Sequence, residues 1–211
     1  FPSWHPPKQV YSYISGYDLA EGIFINDTVL IIPIDNYLGS DFSGYRAIGI
    51  PKYITERMTP EYLIADVVKT IAQQFLTPFP TDGNLIEQMI AFGKLFYFAQ
   101  NVLPETEPYF LIGYTPEKYK WCQDNEKKIW SFLVGQNLLF NKDKSTIMKF
   151  IQESPTTQGF PKGSPGRIGQ YMGWRIVESY AKKHPEEHLA EIIQKRDLVQ
   201  IFNQSGYKPP Q

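Results

Sequence analysis

The chain has 211 residues, 42% of them hydrophobic and 15% aromatic, and 21 Lys and Arg stand against 22 Asp and Glu. That length and apolar content suit a single core, and a net charge of -1 removes the basic field that nucleic-acid binding requires. The lone cysteine, Cys122, excludes an internal disulfide and any paired-cysteine metal or redox motif. No apolar run approaches the roughly 20 residues that span a bilayer.

The chain opens Phe1-Pro2-Ser3-Trp4 without Met, so an upstream segment is expected to have been removed, and with it any targeting signal or lipid-attachment cysteine. Residues 1–10 carry three prolines and read as an extended arm. Ile23, Phe24, Val29, Ile31, Ile32 and Ile34 flank Asn26-Asp27, which predicts a β-hairpin or small sheet. The Gly, Asp, Ser and Tyr alternation over about 34–54 reads as a long loop or lid.

Thr59-Pro60-Glu61 sets out a cap, an N1 proline and a first-turn acid. With Leu63, Ile64, Val67, Val68, Ile71 and Phe75 at helical spacing, an amphipathic helix follows. Residues 85–100 leave almost no polar face, the mark of a helix at the centre of the fold. Pro104 and Pro108 mark a break, and Thr115-Pro116-Glu117 opens a long helix to about Phe140. Ser164-Pro165 starts another helix, interrupted by Pro185, before two short helices and a polar tail at 205–211. The pattern is one α+β domain over 1–211, mainly helical, with five or six helices and a small N-terminal sheet.

Three histidines, His5, His184 and His188, cannot assemble a His-rich metal site. His184 and His188 share helical spacing, but Pro185 makes that segment a helix start with both imidazoles toward solvent. Glu126 falls within the apolar stripe of Tyr119, Cys122, Ile129, Trp130 and Leu133. A buried carboxylate requires a partner, either a functional one or a structural Arg or Lys. Glu87 either belongs to a surface strip with Lys94 or lines a cleft near Glu126. Gly166, Gly169 and Gly173 lie along one face of the Ser164 helix and predict close approach by another backbone or a ligand. Arg167, placed in that helix's first turn, requires an acidic partner, for which Glu126 is a candidate. No Ser-His-Asp arrangement, P-loop or dinucleotide fingerprint is present.

The run IAFGKLFYF, the block LIGYTPEKYKWCQDNEKKIW, the block SPGRIGQYMGWRIVESY and the segment IFNQSGYKP together resemble the gliding-motility lipoprotein GldB family, over roughly residues 30–210. The resemblance implies a scaffold related to zincin-type metallopeptidases, with the HExxH helix aligned to Ile86-Glu87-Gln88-Met89-Ile90 and the downstream acidic ligand to Glu126. Isoleucine occupies both histidine positions, so the expectation is a pseudopeptidase without metal or other cofactor. Glu87, Glu126, Arg167 and Tyr171 would line its vestigial cleft. The implied protein is lipid-anchored in the bacterial envelope and works with envelope proteins of a motility or secretion complex in a binding or assembly role. The competing reading is a metal-independent hydrolase with Glu87 or Glu126 as general base and Arg167 or Tyr171 stabilising the electrophile.

Overall fold

Glycine decides how the two central helices meet. In the computed structural model, which describes residues 4–20, 22–76, 79–161 and 163–210, α4 (Leu85–Val102) crosses α8 (Ile168–Lys183) through Gly93 and Gly173. A Cβ added at Gly173 would overlap the Met89 carbonyl, and one at Gly93 would overlap the carbonyl of Gly173. The two backbones therefore touch where any larger residue would hold them apart. Farther along α8, a Cβ at Gly169 would lie 2.9 Å from the Phe150 carbonyl oxygen on α7 (Lys144–Ile151). The expected small-residue face is real, but Gly166 lies outside the helix. Its α8 begins three residues later than Pro165 suggests, because Arg167 adopts the left-handed conformation at the N-cap, with φ 60°.

α4 begins with a reciprocal cap. Asn84 Oδ1 accepts from the Glu87 backbone N–H at 3.1 Å, and Glu87 Oε2 accepts from the Asn84 N–H at 2.8 Å. Apolar side chains then cover the helix on nearly every face, with Ile86 and Ile90 fully buried. Lys94 belongs to this interior and not to a surface strip: it is 1% exposed. Its ammonium donates to the carbonyls of Ile193 and Lys195, where α9 (Leu189–Gln194) ends. Burial, reinforced by the nearby Lys195 charge, lowers its pKa to about 8.

The N-terminal sheet has the order β1-β3-β2. β2 (Phe24–Ile25) and β3 (Val29–Pro33) form the expected antiparallel pair around Asn26-Asp27. The arm contributes β1 (Gln9–Tyr13), which runs parallel to β3 with Gln9 opposite Val29. Residues 1–3 of the arm and residue 211 of the tail lie outside the described set. Asp35 holds the turn after β1 by accepting from the N–H groups of Ser15 and Tyr17 at 3.0 and 2.9 Å. Burial acts to raise its pKa, but those donors outweigh it and keep the carboxyl below its ordinary value.

The segment read as a loop or lid instead forms two short helices, α1 (Ser43–Ala47) and α2 (Lys52–Thr55). They close around Tyr45, whose hydroxyl donates to the Asp35 carbonyl at 2.6 Å and accepts from the Leu38 N–H at 3.0 Å. α3 (Pro60–Gln73) runs as the sequence predicts, although the Thr59 hydroxyl bonds the Glu61 carboxylate and not the helix backbone. α5 (Pro108–Ile112) leads into α6 (Pro116–Gly135), which stops short of Phe140 where Asn137 turns left-handed. α10 (Leu198–Ser205) completes ten α-helices among the described residues, more than the five or six expected because several are two turns or less. One apolar cluster reaches from Ala65 on α3 to Ile201 on α10.

Candidate functional site

Glu126 sits on the inner face of α6 and is 4% exposed, as the stripe around it predicts. Its partners come from two later parts of the chain. Tyr171 on α8 donates to Oε2 at 2.6 Å, and Tyr207, beyond α10, donates to Oε1 at 2.6 Å. Arg175, one turn along α8 from Tyr171, places Nε 3.2 Å from Oε2 and also pairs with Glu178. Both carboxylate oxygens are thus taken, by two phenols and a guanidinium. Tyr207 is edge-on to Trp130 at 5.1 Å and Tyr171 to Tyr119 at 5.9 Å, so aromatic rings flank the carboxylate, while the Arg175 side chain stays partly exposed. Burial also raises the Glu178 carboxyl, and the neighbouring Glu126 charge adds to that, against Arg175.

Burial, followed by the bond to Glu126, pushes the Tyr171 and Tyr207 phenols far above their ordinary value of 10.0. The folded state therefore keeps these protons after the unfolded chain has lost them. Their stabilising contribution is complete below pH about 10 and falls as pH rises past it. We expect the Tyr171→Phe variant, measured by urea denaturation at a series of pH values, to lose stability less steeply than the parent above pH about 10. Parallel pH profiles for variant and parent would place the alkaline sensitivity elsewhere.

The four residues expected to share one cleft do not all meet. Glu126 and Tyr171 are in direct contact, whereas Glu87 is engaged with Asn84 at the start of α4. Arg167 does not pair with Glu126. Its two terminal nitrogens donate to the carbonyls of Ile112 and Gly113 at 3.0 and 2.9 Å, capping α5, and its Nε lies 3.0 Å from Glu153 Oε2. The guanidinium also lies 5.1 Å from the centre of the Tyr114 ring. From this left-handed N-cap the side chain reaches the end of α5 and Glu153, just beyond α7.

Arg167 instead borders a cavity of about 670 Å³ between α3, α4, α7 and α8. Three cations, Arg57, Lys69 and Arg167, and two carboxylates, Asp66 and Glu153, line its polar side. Glu153 bridges Arg167 and Arg57, the latter at 3.5 Å, while Asp66 accepts from Lys69 at 2.8 Å and from the Tyr37 hydroxyl at 2.9 Å. Phe79, Phe92, Leu95, Phe96 and Met148 are its apolar lining, with Lys69 Nζ 6.0 Å from the centre of the Phe96 ring. The sequence signal for this site was the spacing of Asp66, Lys69 and Gln73 on one face of α3, which reads equally well as a solvated strip.

Metal-type ligands gather at one place among the described residues, where His184, Glu186 and Glu187 bring one ligand atom each within 4.8 Å of one another. Glu187 Oε1 already accepts from Tyr180 at 2.6 Å and from Lys195 at 2.7 Å, and His184 stacks on Tyr180 at 4.4 Å, so this group acts as a structural knot. His188, the expected companion of His184, is exposed at the start of α9.

These elements define a mainly helical α+β protein in which a buried carboxylate ties the long helix α6 to α8 and to the C-terminal segment. The chain belongs to the family of the gliding motility protein GldB, whose model matches residues 1–209. No match was found among curated proteins or among solved structures. Among the described residues no helix is long and apolar enough to cross a membrane.

Proposed function

We propose that this chain is a lipid-anchored protein of the bacterial cell envelope that serves gliding motility, or the secretion machinery associated with it, by binding or assembling other envelope proteins and without catalysing a reaction. The observation that carries this reading is the family match over residues 1–209, joined to a candidate catalytic carboxylate with both oxygens engaged. A general base must reach water or substrate, and Glu126 is enclosed by Tyr171, Tyr207 and Arg175. Glu87 completes the reciprocal cap of α4 by accepting from the Asn84 N–H. We read α4, α6 and α8 as a peptidase-like scaffold without its metal. Zinc requires about three protein ligands, whereas Ile86 and Ile90 stand where the imidazoles would be and are packed into the core.

The test uses the lipid-anchored protein in cells that glide. Glu87→Gln and Glu126→Gln each keep the side-chain volume and most hydrogen bonds while removing the base. Both variants are expected to support colony spreading at normal protein abundance and to capture the same recurrent set of envelope proteins as the parent. Loss of spreading by a stable, abundant variant would instead favour the metal-independent hydrolase. About one zinc per chain in untagged protein, or cleavage of a peptide library, would overturn the non-catalytic reading.

A further inference from the structure

The cavity between α3, α4, α7 and α8 has a charge pattern that the ion pairs within it do not balance. Three cations face two carboxylates, leaving one positive charge in excess. Burial lowers the Lys69 pKa, and the Arg57 and Arg167 charges lower it further, with Asp66 opposing them. The cations therefore repel one another across the cavity, and an added negative charge would relieve that repulsion. Arg167, which is 7% exposed, is held in place by the Ile112 and Gly113 carbonyls, and its Nε stands 3.0 Å from Glu153 as an ion pair without hydrogen-bond alignment, so the guanidinium contributes a fixed charge at the cavity edge.

Apolar side chains line the same cavity beside these charges. Phe79 and Phe92 pair at 4.8 Å, both rings are only partly buried, and Met148 is exposed beside them. Isolated exposed apolar residues are ordinary, but here they line a concave space of about 670 Å³, within the range of small-molecule sites. The excess of one charge also selects the ligand's valence. A monoanion neutralises the cluster, whereas a dianion would leave a negative charge beside Asp66 and Glu153.

We propose that this cavity binds a small amphipathic carboxylate of the fatty-acid type. Its carboxylate takes the position between Lys69, Arg57 and Arg167, and its alkyl chain lies along Phe79, Phe92 and Phe96. The site is separate from the Glu126 cluster, and its occupancy does not depend on whether the protein is catalytic.

Titration calorimetry of the purified chain with decanoate tests this directly. One molecule is expected to bind per chain in the micromolar range. Decanol, which lacks the charge, acetate, which lacks the chain, and decyl phosphate, which carries a higher charge near neutral pH, should each bind at least about tenfold more weakly. Lys69→Gln should weaken decanoate binding by a similar factor. Should Lys69→Gln fail to fold, Arg57→Gln provides the same reading, because Arg57 is partly exposed and its ion pair to Glu153 is a long one of 3.5 Å. Decanol or decyl phosphate binding as tightly as decanoate would overturn the proposal. So would decanoate affinity unchanged in a folded Lys69→Gln or Arg57→Gln variant, or the absence of saturable binding.

Discussion

Gly173→Ala is expected to cost more stability than any other single methyl group added to this chain. The new Cβ would meet the Met89 carbonyl of α4, a backbone atom that cannot rotate aside, so the two helices must separate along their whole contact. Overpacking a core costs about 1–3 kcal/mol when side chains can adjust, and more when backbone must move. A loss above about 3 kcal/mol in chemical denaturation is therefore expected. Gly93→Ala acts on the same crossing, since its Cβ would meet the carbonyl of Gly173. Once either alanine has separated the helices, the second finds space already made, so the double variant should lose clearly less than the sum of the single losses. Additive losses, or a denaturation midpoint unchanged in Gly173→Ala, would mean that the helices do not meet at these glycines.

The second large effect is expected at Glu126. Truncation to alanine leaves the Tyr171 and Tyr207 hydroxyls without their acceptor beside the rings of Tyr119 and Trp130, and part of the partly exposed Arg175 guanidinium with them. Breaking a buried pair by removing one partner costs about 3–5 kcal/mol, mostly through the groups left behind. Glu126→Gln keeps the volume and one carbonyl acceptor, and a phenol facing the new amide can turn its hydroxyl to accept. It should therefore lose less than half as much. Equal losses for the two variants would show that the charge, and not the hydrogen bonds, holds this junction. A negligible loss for Glu126→Ala would remove the junction from the account.

Local signals in the sequence were legible wherever the determining interaction is itself local. Thr59-Pro60-Glu61 places the start of α3 correctly because helix starts depend on a few consecutive residues. The spacing around Glu126 gives its burial because helix phase decides which side chains face inward. The end of α6 was also written in the sequence, since Gly135-Gln136-Asn137 is a stop signal that the apolar run to Phe140 obscures.

Partners were not legible in the same way. Arg167 reaches Glu153 and the end of α5 because one left-handed residue redirects it, and no periodicity encodes that turn. Lys94 looked like a surface residue because its acceptors lie about a hundred positions away, in carbonyl groups that every residue carries. β1 escaped notice because its pairing with β3 depends on the path of residues 14–28 and not on its own mixed pattern. Tyr207 was hidden in a stretch of polar residues, although an aromatic amid such residues can anchor a chain end.

The junction at Glu126 also imposes an order on events during synthesis. Chain order presents α6 first, then α8, and Tyr207 only after α10, so a chain emerging in that order holds this carboxylate with one phenol missing until the segment beyond α10 has docked. The carbonyl acceptors of Lys94 likewise arrive about a hundred residues after the lysine itself. Early-formed helices can pack as they emerge, but the interior polar groups are satisfied only when the last segment docks. A chain ending before Tyr207 thus has every helix but lacks one of the two phenols that its buried carboxylate accepts from.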